Sequence, residues 1–150
     1  MSAQDSLLAR NRVILAHFDS YSTALVFARW GQTMLWPQAL PEGATPIPAP
    51  AEIGADYSAD AVLDAVVQAC GLIPDEQIIA SDFSHWVQTA DGPVRVHLLR
   101  FTTFDAPKAL IDAAGGVFKP ISELRGTAMS ELMLLRAGFD LIIGAGGGKA

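Results

Sequence analysis

At 150 residues and 51% hydrophobic content, the chain is sized for one domain with a substantial core. Its net charge of -6 and its lack of any Lys or Arg run give a field that repels phosphate backbones and anionic lipid heads, so neither nucleic acid nor a membrane surface is an expected partner. The single Cys70 leaves no internal disulfide and no thiol pair for a metal, and on the apolar side of a helix it reads as a small buried hydrophobe.

The opening MSAQDSLLARNRVILAHF carries an acid and two arginines where a signal peptide needs an apolar core. No apolar run approaches the ~20 residues of a spanning helix, so a soluble cytoplasmic protein is expected. One domain over 1–150 is predicted, with 1–9 and 144–150 as flexible ends. Arg12 to Phe18 reads as a strand, and Asp19-Ser20-Tyr21 supplies turn formers. The β-branched and aromatic mix from Thr23 to Arg29 suits a returning strand, with a helix over residues 20–30 as the competing reading. Pro37 to Pro50 holds five prolines and predicts a stiff, exposed connection, because proline cannot serve a helix interior or a central strand.

Ser58 is a good N-cap and Asp60 suits the positive end of a helix dipole, so a helix is predicted to run to Cys70 and stop at Gly71. Val62, Leu63, Val66, Val67 and Cys70 form its apolar stripe, with Asp60, Asp64 and Gln68 as a polar row beside it. A strand begins at Gln77 to Ala80. His85 to Gln88 leads into the turn signal Asp91-Gly92, and Pro93 to Phe101 returns. That returning strand places Val94, Val96 and Leu98 on one face and Arg95, His97, Leu99 and Phe101 on the other, the pattern of a central strand. A short helix over 107–114, a strand over 116–118, a helical turn at 122–124 and an amphipathic helix from Ser130 to about Leu141 complete the order.

The stretch PAPAEIGADYSADAVLDAVVQACGL, from Pro48 to Leu72, resembles the loop–helix of the Nudix family, and the later element order is similar to that of a Nudix domain. The family box reads Gly, five residues, Glu, seven residues, Arg-Glu-apolar-x-Glu-Glu-x-Gly-apolar. Counted back from Gly71 and Leu72, its apolar position is Val66 and its first glutamate is Asp56, while its opening glycine falls on Pro50 and its arginine on Asp64. The remaining glutamates, which in the family hold a divalent metal against a pyrophosphate, fall on Ala65, Gln68 and Ala69. The resemblance implies an α+β fold with a mixed central sheet flanked by helices on both sides. The erased ligand set implies a catalytically inactive domain that binds a small ligand or a protein, with no metal and no cofactor. The alternative is a divergent hydrolase of nucleoside diphosphate derivatives that uses Asp56 with acids such as Glu52.

If a ligand binds, a cleft between the sheet and the proline-rich segment is expected, with Arg29, Trp36, Glu52, Asp56, Trp86 and Arg95 as its candidates for stacking and ionic contacts. Ala61, Ala65 and Ala69 recur four apart on the helix face where the family keeps its ligands. They read either as plain helix formers or as a surface packed against another element or a second subunit, so a homodimer is among the expectations. No nucleophilic triad assembles. Ser84 and His85 are adjacent and point to opposite faces of an extended segment, and His17, His85 and His97 read as structural. The tail from Gly144 to Lys149 lacks the spacing and the hydroxyl of a phosphate-binding loop.

Overall fold

The computed structural model describes residues 3–19, 21–124 and 126–147. Among these, seven strands form one sheet: β1 (Asn11–Asp19), β2 (Ala24–Arg29), β3 (Thr45–Ile47), β4 (Gln77–Ile79), β5 (His85–Thr89), β6 (Gly92–Phe101) and β7 (Val117–Pro120). The strand order is β3-β5-β6-β1-β2-β7, with β4 also paired to β6. β1 and β6 run parallel at the centre, with Val13 opposite His97 and Leu15 opposite Leu99; every other pairing is antiparallel. Residues 24–29 are therefore strand and not helix. β2 folds back on β1 through a turn in which the Asp19 carboxylate accepts from the Tyr21 and Ser22 amides. Ser20 lies outside the described residues.

Strand alternation splits the core in two. Ile14, Ala16, Val96 and Leu98 face one way, under α4 (Met129–Gly147). Val13, Leu15, Leu99 and Phe101 face the other way, under α2 (Ala59–Cys70) and α3 (Lys108–Ala113). The result is an α+β architecture with a mixed sheet between helices. No helix among the described residues is long and apolar enough to cross a membrane.

Three segments depart from expectation, each for a non-local reason. Residues 3–9 form the helix α1 (Ala3–Ala9), whose last carbonyls are held by side chains of β1: Asn11 Nδ2 donates to Leu7 O at 2.8 Å and Arg12 Nη1 to Leu8 O at 2.9 Å. Arg12 is buried, and burial lowers its pKa. Within the proline-rich segment, Thr45–Ile47 pairs with β5 as an edge strand, where the missing amide of Pro46 costs no central ladder bond. Lastly, α4 continues through residues 144–147, past the predicted end near 141, because Ile142 is fully buried and Ile143 packs on the same core. Residues 1–2 and 148–150, which the sequence reading counted among the ends, lie outside the described residues.

Candidate functional site

The helix α2 begins where its sequence says it should. The Ser58 hydroxyl accepts from the Ala61 amide at 3.3 Å, and Gly71 ends the helix in the left-handed conformation at φ 64° with its amide donating to Val67 O. Val62, Val66 and Cys70 are buried against the sheet, at about 1.5–3 kcal/mol for each fully buried valine. Burial pushes the Cys70 thiol up to about 11, which leaves it protonated and unreactive at neutral pH.

The opposite side of α2 borders a cleft of about 450 Å³ lined by Ser6 and Leu7 of α1, Ala55 and Asp56 of a 3-10 turn (Ala55–Tyr57), and Ala61, Asp64, Ala65 and Gln68 of α2. The alanine column divides along its length. Ala65 is only 6% exposed, Ala61 is half-buried, and Ala69 is exposed. Positions 65 and 68, to which the resemblance assigns metal-binding glutamates, therefore present a methyl group and a neutral amide to this cleft. Its acids are Asp56 and Asp64, and Asp56 forms a long, solvent-exposed ion pair with Arg10 at 3.9 Å. Among the described residues, no three His, Cys, Asp or Glu side chains converge as a metal-ligand group.

The cleft walls are tied together by residues that sequence reasoning did not single out for the site. Asn11, fully buried, donates from Nδ2 to Leu7 O at 2.8 Å and to Asp56 O at 2.9 Å, so one amide joins α1 to the 3-10 turn. With both N–H groups in use, its Oδ1 accepts from the buried His97 at 2.7 Å, which places the His97 proton on Nε2. Burial, and secondly the Arg95 charge, push the His97 pKa down to about 3, so the ring is neutral. A neighbouring knot completes the anchor. Arg95 Nη1 donates to Tyr57 O at 3.0 Å, Tyr57 donates to Pro93 O at 2.9 Å, and the Tyr57 and Trp86 rings lie 4.8 Å apart with the Arg95 guanidinium 5.7 Å from the Trp86 ring centre.

The six residues proposed as ligand contacts do not form one cluster. Trp86 and Arg95 meet; Trp86 is 2% exposed, packs against Tyr57 inside the knot, and also borders a separate hollow between β5 and the proline-rich segment. Trp36 is buried in the core beneath α2 and pairs with Val13, so it offers no stacking face to a ligand. Arg29 ends β2 opposite Val117, on the far side of the sheet order. Glu52 is exposed on the preceding loop and does not line the cleft, leaving Asp56 as the one member of the set that does. The chain matches no protein-family model, and no curated protein matches it.

Proposed function

We propose that this chain is a Nudix-like domain that retains the loop–helix scaffold without its hydrolytic chemistry and works as a small-ligand or protein-binding module. The observation that carries this reading is the lining of the α2 cleft: Ala65 and Gln68 stand where a hydrolase needs carboxylates. Magnesium takes near-octahedral oxygen ligation and has to be pinned against the substrate phosphates, which a methyl group and an amide cannot do. One observation favours the second reading, a divergent hydrolase of nucleoside diphosphate derivatives: Asp56 and Asp64 line the same cleft. Two acids alone are a poor clamp for a metal that must also activate water.

The two readings separate in one experiment. Nucleoside triphosphates, sugar nucleotides and dinucleoside polyphosphates are incubated with the protein and Mg²⁺ or Mn²⁺, and turnover and melting temperature are read in parallel. The binding-module reading expects no turnover with any of them, whether or not one raises the melting temperature. Turnover in the ordinary enzymatic range of about 1 to 1000 per second, abolished by Asp56→Asn, would establish the hydrolase instead.

A further inference from the structure

A second hollow, of about 330 Å³, lies on the opposite face of the sheet from α2. Three elements wall it: Leu40 and Pro46 from the proline-rich segment, Val87 from β5, and Met133 and Leu134 from α4. Among the described residues, no Asp, Glu, Lys or Arg side chain lines it. Trp86 also borders it, and its other polar side chains are His85 and Ser130; burial holds the His85 pKa below the ordinary histidine value, so at neutral pH the ring offers one N–H and one acceptor without charge. An ion entering such a lining would lose its hydration with nothing to replace it, whereas a neutral molecule would lose little.

Size and shape narrow the occupant further. A dry apolar cavity of about 150 Å³ accepts benzene, so this volume suits a fused two-ring aromatic, and it falls at the small-molecule end of the ~300–1,000 Å³ range of ligand pockets. An added peptide strand is a poor fit, because β3 forms the adjacent sheet edge and Pro46 at its centre has no amide to donate. Met133 is 62% exposed and supplies an adaptable thioether where the hollow meets solvent. We propose that this hollow binds a neutral, largely apolar small molecule of about two fused rings, with its polar atom directed at His85 or Ser130. The inference goes beyond the proposed function and stands whether or not the α2 cleft binds anything.

The test uses N-phenyl-1-naphthylamine, a neutral probe whose fused two-ring naphthyl group carries a pendant phenyl ring and whose fluorescence rises in apolar surroundings. Saturable binding of one probe per chain is expected. Met133→Glu, which changes an exposed side chain and so should leave the fold intact, should weaken it by at least ~10-fold by placing a charge on the lining. Ala44→Phe, which fills the hollow from the loop side, should do the same, while Asp64→Asn in the other cleft should leave probe affinity unchanged. Four results would overturn the proposal. They are no saturable binding, unchanged affinity in Met133→Glu, equal affinity for the sulfonated anionic analogue of the probe, and a change in size-exclusion elution of Met133→Glu or Ala44→Phe, which would show a second copy seated over the hollow.

Discussion

Asn11 shows how much of the α2 cleft depends on a single side chain. Its amide holds α1 and the 3-10 turn together and orients His97, and both residues are buried. Asn11→Ala strands a buried imidazole N–H and two carbonyls, so a loss of about 1–3 kcal/mol in denaturant unfolding is expected, with His97→Phe, which removes the other partner, losing less because it strands fewer groups. The histidine also sets an acid limit. Its folded pKa of about 3 lies below its ordinary value of 6.5, so the unfolded chain binds the proton more readily. The contribution of His97 is thus complete above pH 6.5 and is lost as pH falls toward 3, at no more than about 1.4 kcal/mol per pH unit. Urea midpoints measured from pH 7 down to pH 4 should fall, and His97→Phe should flatten that limb. An unchanged slope would mean that His97 takes up its proton in the folded state.

At the scale of the element, α2 was legible because each of its signals is local: a hydroxyl N-cap, an apolar stripe, and a glycine in the left-handed region. Ser58→Ala should cost about 1 kcal/mol in thermal unfolding through the lost cap. The alanine column separates packing from propensity. Ala65 is covered where α1 approaches, so Ala65→Glu has to displace that wall or set a third acid beside Asp56 and Asp64; a loss of about 1–3 kcal/mol is expected. Ala69→Glu, at an exposed position, should stay within about 0.5 kcal/mol. An elution shift in Ala69→Glu alone would identify a subunit contact there. By contrast, α1 was illegible. Its large apolar side chains are two leucines, and its C-terminal carbonyls are satisfied by Asn11 and Arg12, whose strand periodicity gives no hint of that duty.

Across the whole molecule, alternation along β1 and β6 made the two-sided core readable, and the same pattern placed Arg95 and His97 on the α2 face. The ligand set was not readable in that way. Trp36, Trp86 and Arg29 carry suitable chemistry, but the fold buries the first two and sets Arg29 on β2, away from Trp86. The loop–helix, in contrast, could be assessed position by position, because its residues are consecutive and the helix fixes which of them share a face. We propose that the α2 cleft lacks the ligands a metal-dependent site needs, and isothermal titration of Mn²⁺ and Mg²⁺ into the protein is the sharpest check of that proposal. No saturable heat is expected with either ion. Saturable binding of one ion per chain, lost in Asp56→Asn/Asp64→Asn, would contradict it.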